Sequence, residues 1–222
     1  MMDNVKIINN FISEEDSSFF RKYIDENGSD KKRFRHRVGL AFDKGLAIRA
    51  VFPDEKPPSL YKDISSQINK YSNLFIEACR KEFIEDRELY FYGVSITRLS
   101  KDIQLRIHQD VHNDFSSLIY SGVLYLNDDY EGGEITFLDS FIPVNDFPLY
   151  VDAMGGDIYK PKSGDMVIFP SDTWHGGKIV KEGTRDAIIF WCTLEEEYSF
   201  AGFESEKILA KINPKASAED YE

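Results

Sequence analysis

Leu89-Tyr90-Phe91-Tyr92-Gly93-Val94-Ser95-Ile96-Thr97-Arg98-Leu99 is the stretch whose reading decides the fold. Aromatic and β-branched residues dominate it, and it opens a series of short strands, punctuated by Gly, Pro, Asn and Asp, that runs to about residue 195. Such a series is the mark of a sandwich or barrel rather than of alternating βαβ units. The expected fold class is mainly β with flanking helices, and jelly-roll topology is its economical form.

Upstream of that series the periodicity is helical. Ser13-Glu14-Glu15-Asp16 resembles a capping box, and Phe19, Phe20, Tyr23 and Ile24 behind it share one stripe ending before Gly28, which predicts a helix over about 13–26. Leu60, Ile64, Ile68, Tyr71, Phe75 and Cys79 recur at three to four residues and predict a longer helix from near Ser59 that covers a sheet face. Between them, residues 36–52 read as a strand pair ended by Pro53. The basic run Lys31 to Arg37 reads as a solvated strand or loop, because a single such run in an acidic chain is a weak nucleic-acid signal. The resulting layout is one domain over 1–222: a helix-rich support region at 1–88, a strand-built core at 89–195, and a C-terminal extension with an acidic tail at 196–222.

Bulk composition narrows the function classes. The 222 residues carry a formal charge of -12, with 42% hydrophobic and 30% charged residues, and 17 Phe and 12 Tyr. A surface so acidic is poorly suited to neutralising phosphates, so no nucleic-acid partner is expected. Two cysteines in no CxxC pattern, Cys79 and Cys192, read as buried thiols in a reducing compartment. The N-terminus lacks a basic and apolar leader, and no apolar run approaches the ~20 residues of a membrane span. These features predict a cytoplasmic chain with no membrane partner; no interface pattern speaks to its oligomeric state.

The chemistry starts at Leu105-Arg106-Ile107-His108-Gln109-Asp110. In an extended strand His108 and Asp110 project from one face. Two imidazoles and one carboxylate on one face suit redox-active non-haem Fe(II) with open positions, so a third ligand is needed. Of the four histidines, His175 follows the buried strand Met166–Phe169. A His-x-Asp tripeptide alone is common by chance, and a zinc site is the competing use of such ligands, though hydrolytic zinc calls for a recognisable base. Arg185, ten residues after His175, opens the apolar strand Ala187–Trp191. Its planar fork suits a dicarboxylic acid, with a surface salt bridge as the plainer alternative. Tyr125 is either a second hydrogen bond to that carboxylate or a core tyrosine. A second His-x-Asp, His112-Asn113-Asp114, lies in the same register as the first. Leu105 and Ile107 bring an apolar strand up to the first copy, which is preferred; His112 and Asp114 then fall on the rim.

His108-Gln109-Asp110, Tyr125-Leu126-Asn127, Gly132-Gly133-Glu134-Ile135-Thr136-Phe137, Pro161 through Pro170, His175-Gly176-Gly177 and Thr184-Arg185 together resemble the Fe(II)/2-oxoglutarate-dependent oxygenase superfamily, prolyl 4-hydroxylase-like branch, over about residues 90–195. The resemblance implies a double-stranded β-helix with helices on its outer face. It implies that His108, Asp110 and His175 bind iron, that Arg185 and Tyr125 grip the distal carboxylate of 2-oxoglutarate, and that Trp191 lines the pocket. That family often carries Lys where Arg185 stands. The implied cofactors are Fe(II), 2-oxoglutarate as co-substrate and O2, with ascorbate as an auxiliary reductant. The implied reaction is decarboxylation of 2-oxoglutarate to succinate and CO2 coupled to hydroxylation of a prolyl residue in a peptide or protein. Related halogenases lack the carboxylate, so Asp110 favours hydroxylation. A hydroxylase of a free amino acid or other small metabolite, and a non-catalytic metal-binding jelly-roll module, are the alternatives. Residues 139–159, with Pro143, Pro148 and Gly155-Gly156, are long for a barrel connection and read as a lid, an extra hairpin or a passive excursion. Substrate selectivity is expected there and near 36–52.

Overall fold

The computed structural model describes residues 2–29, 34–37, 47–51, 63–111, 117–139 and 156–196. Two antiparallel sheets face each other. The larger has seven strands, in the order β1 (Lys6–Ile8), β10 (Met166–Pro170), β6 (Leu118–Tyr125), β13 (Thr184–Thr193), β4 (Tyr90–Ser100), β3 (Ala47–Val51) and β2 (Phe34–Arg37). The smaller runs β5 (Leu105–His108), β11 (Trp174–Gly177), β8 (Ile135–Leu138) and β9 (Asp157–Tyr159), and a ribbon of β12 (Val180–Glu182) with β7 (Glu131–Gly132) completes the set. This is the jelly-roll arrangement that the strand series predicts and the double-stranded β-helix that the resemblance implies.

Period-two alternation decides what each face of the large sheet meets. In β13, Ile188, Phe190 and Cys192 join one core cluster, while Ala187 points into the other. In β6, Leu124 faces the first and Val123 and Tyr125 the second. The first cluster is the helix side. Phe20, Tyr23 and Ile24 of α1 (Glu14–Asn27) and Ile68, Tyr71, Phe75 and Cys79 of α2 (Ser65–Phe83) supply its other half. Helix α2 comes so close that a Cβ on Gly122 of β6 would lie 2.6 Å from the Phe75 ring. The second cluster, with Ile135 and Phe137 of the small sheet, is the interior between the sheets.

Ser13 caps α1 as its sequence predicts, accepting from the Asp16 amide at 3.2 Å. The Asp16 carboxylate in turn accepts from Lys70 at 2.7 Å and Tyr71 at 2.6 Å, which ties the two helices and lowers its pKa. Helix α2 begins at Ser65, with residues 63–64 in a turn, and not near Ser59. Leu60 and Ile64 keep helical spacing whether or not the chain coils there, so periodicity overran the boundary; Ser59 and Leu60 lie outside the described residues. Residues 34–37 of the basic run form edge strand β2, paired with β3. Of the 139–159 excursion, β9 joins the small sheet beside β8, while 140–155 and the acidic tail lie outside the described residues. Cys79 and Cys192 are both buried thiols. Among the described residues no helix is long and apolar enough to cross a membrane.

One buried ion pair clamps the helix side to the site. Asp186 is 0% exposed and accepts both arms of Arg98, at 2.6 and 2.7 Å. Arg98 also reaches Asp25 of α1 at 2.6 Å, and Arg21 of α1 lies 3.5 Å from Asp186. Removing one member of such a pair strands a buried charge, at a cost of about 3–5 kcal/mol. Asp186→Ala is therefore expected to lower the unfolding free energy by that amount, read as a lower urea midpoint at unchanged m-value. A loss below about 1 kcal/mol would show that the pair is dispensable.

Candidate active site

His108 closes β5 and His175 lies within β11, and the two are direct cross-strand partners. The pairing sets their rings 4.3 Å apart. Each ring is oriented by its own backbone: Nδ1 of His108 meets the Arg106 carbonyl at 2.8 Å and Nδ1 of His175 the Thr173 carbonyl at 2.9 Å. A carbonyl can only accept, so Nδ1 carries the proton and Nε2 presents a lone pair. Both Nε2 atoms face Asp110, at 3.4 Å from its Oδ1 for His108 and 3.9 Å from its Oδ2 for His175. One ligand atom from each of the three lies within 4.8 Å of the others.

Electrostatics match that reading. Burial, then His108 beside it, pushes His175 down to about 4, so its imidazole is neutral at neutral pH. Burial opposes ionisation of Asp110, but the imidazoles of His175 and His108 and the Ser121 hydroxyl outweigh it and hold the carboxyl well below its usual range. The set offers two imidazoles and one carboxylate, the donor chemistry that suits Fe(II).

The same cavity extends to Arg185 and Tyr125, past walls formed by Leu105, Val123, Ile135, Ala187 and Ile189. Arg185 is 3% exposed and donates from Nη1 to the Gly133 carbonyl at 2.9 Å. Among the described residues its Nε has no partner, and neither has the buried Tyr125 hydroxyl. The guanidinium lies 5.7 Å from the Tyr125 ring centre. Burial raises the Tyr125 pKa, with Arg185 opposing, so the phenol keeps its proton. Orphaned donors at the far end of an otherwise apolar cavity are costly unless something accepts from them. A carboxylate there, reached by a short apolar chain from the triad, answers that need, so 2-oxoglutarate fits the residues present.

Gly133 and Gly177 make the channel for the Arg185 side chain. A Cβ on Gly177 would stand 3.1 Å from Nη1, and one on Gly133, whose φ is +68°, 3.4 Å from Cδ. Residues 94–193 match the family model of the 2OG-Fe(II) oxygenase superfamily. These residues form a 2OG-Fe(II) oxygenase domain.

Within the curated proteins, this oxygenase domain is 38% identical over 81 residues to prolyl 3-hydroxylase 2 of Homo sapiens, covering 36% of the chain and 10% of that protein. The chain thus spans about a tenth of the length of that relative. Among solved structures, a prolyl hydroxylase from Trichoplax adhaerens in complex with a hypoxia inducible factor peptide fragment superposes with TM-score 0.63 at 15% identity, covering 89% of this chain and 86% of that one. HygX from Streptomyces hygroscopicus with nickel and 2-oxoglutarate bound gives 0.60 at 14%, covering 86% and 82%. At these identities the structural likeness establishes the oxygenase fold.

His108, Asp110, His175, Arg185 and Tyr125 come together in one cavity. Trp191 is not among the described residues that line this cavity, and stands two residues beyond Ile189 on β13. His112 and Asp114 lie outside the described residues. Gly133 and Gly177 belong to the sequence motifs, whereas Ser121 and Ser171 belong to none of them. A serine on the inward face of apolar β6, two residues before Val123, was the available signal.

Proposed function

We propose that this oxygenase domain is an Fe(II)- and 2-oxoglutarate-dependent hydroxylase acting on a prolyl residue of a peptide or protein. The observation that carries it is the single cavity holding a His-Asp-His ligand set at one end and unpartnered Arg185 and Tyr125 donors at the other. Prolyl specificity draws its support from the likeness to human prolyl 3-hydroxylase 2 and to the Trichoplax adhaerens prolyl hydroxylase.

His108 and His175, through Nε2, and Asp110, through its carboxylate, would hold the metal. When bound with 2-oxoglutarate and O2, iron supplies the oxidising chemistry by which 2-oxoglutarate becomes succinate and CO2 while one oxygen atom enters a substrate C–H bond. The chain's own contribution is placement. Arg185 and Tyr125 anchor the distal carboxylate, and the apolar walls keep water from the reacting end. Holding the co-substrate at a fixed depth leaves the opening near His108, which is more exposed than His175, for the substrate.

Anaerobic Fe(II) with 2-oxoglutarate is expected to give a weak visible charge-transfer band, and admission of O2 with ascorbate present to give succinate. Absence of both would overturn the oxygenase reading and leave a metal-binding module. Mass spectrometry then assigns the substrate: a +16 Da product on proline-containing peptides supports the proposal. The same shift only on free amino acids or other metabolites overturns the prolyl part. Separation of 3- from 4-hydroxyproline fixes the carbon attacked.

A further inference from the structure

We infer that Asn127 is a positioning residue that sets the backbone of Arg185 and so registers its guanidinium to the Tyr125 hydroxyl. The inference rests on the proposed grip of Arg185 and Tyr125 on the distal carboxylate of 2-oxoglutarate. Strand β6 ends at Tyr125, which pairs with Ala187 of β13. Arg185 lies two residues beyond that pair. There β13 keeps β4 on one side, with Arg185 opposite Leu99, but has run past the end of β6 on the other.

Asn127 takes over where the strand stops. The Leu126 amide still reaches the Asp186 carbonyl at 2.9 Å, and after it a side chain replaces the backbone. Asn127 Oδ1 accepts from the Asp186 amide at 2.8 Å, and Nδ2 donates to the Thr184 carbonyl at 2.7 Å. Those two groups belong to the rigid peptide planes on either side of the Arg185 Cα, so one carboxamide fixes both of its backbone torsions. The reverse orientation would set donor against donor and acceptor against acceptor. The second Nδ2 hydrogen goes to Asp129 Oδ1 at 2.5 Å, and Oδ2 of Asp129 accepts from Arg21 of α1 at 3.3 Å. Asn127 is 2% exposed, so an apolar residue in its place would strand the Asp186 amide and the Thr184 carbonyl in the interior. With the backbone fixed at 185, the channel between Gly133 and Gly177 gives the side chain one direction. The segment Tyr125 to Asn127 thus supplies one donor and sets the other.

Binding of 2-oxoglutarate to the full chain loaded anaerobically with Fe(II), read by calorimetry, tests this without turnover. Asn127→Ala is expected to weaken that binding about tenfold, within the coupling range of one hydrogen-bond network. Fe(II) affinity without co-substrate should stay within about twofold of the parent's, because the ligand triad lies at the other end of the cavity. A double variant decides between positioning and general support. Asn127 acts through Arg185, so on an Arg185→Leu background Asn127→Ala should change 2-oxoglutarate affinity by less than about twofold. The same loss on both backgrounds overturns the inference, as do equal losses of Fe(II) and 2-oxoglutarate affinity, or parental affinity in Asn127→Ala. If Asn127→Ala does not fold, Asn127→Asp takes its place. This isosteric change keeps the acceptor for the Asp186 amide and sets an oxygen against the Thr184 carbonyl. Weaker 2-oxoglutarate binding at parental Fe(II) affinity then supports the inference, and any other result overturns it. Arg185→Leu binding 2-oxoglutarate as tightly as the parent refutes the underlying reading of Arg185, a result distinct from Asn127→Ala binding as the parent does.

Discussion

His108→Ala is expected to lose iron, and His112→Ala to keep it. The two histidines belong to consecutive His-x-Asp copies in one register, and sequence alone sets them on the same strand face. Pairing favours the first copy, because His108 stands directly across from His175, and the ligand atoms of His108, Asp110 and His175 lie within 4.8 Å of one another. Loss of an outer partner of a ligand already costs about 10–100-fold in metal affinity, so loss of a ligand itself should cost at least about a hundredfold. The His108 side chain is 43% exposed, so its removal should leave the unfolding free energy within about 0.5 kcal/mol of the parent's. Anaerobic Fe(II) titration of both variants, with succinate release on admitting O2, makes the comparison. Iron lost in His112→Ala and retained in His108→Ala would shift the site by four residues.

The parts of this molecule that sequence reveals are those with a period. Alternation in β6 and β13 separates the helix side from the cavity side and places Tyr125 and Arg185 inward, and a 3.6 repeat marks both helices. His108 and Asp110 are legible for the same reason, being two apart on a strand. His175 adds little ambiguity in a chain with four histidines. What stays hidden depends on contacts between distant residues or on local departures from a period. The Arg98–Asp186 clamp joins residues 88 positions apart, and the Ser121–Ser171 contact spans 50. Strand β1 is three residues long and gains its place from pairing with β10 at a sheet edge, which no local pattern announces.

Arg185 and Tyr125 should separate binding from stability with opposite signs. In the structure the Tyr125 hydroxyl and Arg185 Nε are buried donors without partners, a cost the fold bears before any ligand arrives. Tyr125→Phe removes one such donor and keeps the ring packed, so the protein without co-substrate should be unchanged or more stable by about 1 kcal/mol. The same change should raise the KM for 2-oxoglutarate about tenfold, one neutral hydrogen bond's worth. Arg185→Leu removes a charged donor fork in an apolar cavity, where hydrogen bonds to charged groups are worth about 1.5–3 kcal/mol each; two of them convert to roughly a hundredfold or more in KM. Arg185→Lys keeps the charge as a single point and should fall between the two. If these residues served only the core, Tyr125→Phe would destabilise the fold and leave the KM alone. Urea unfolding without ligand, set beside succinate formation across 2-oxoglutarate concentration, tells the two apart. A donor whose loss helps folding and harms co-substrate binding is one the cavity keeps for a carboxylate.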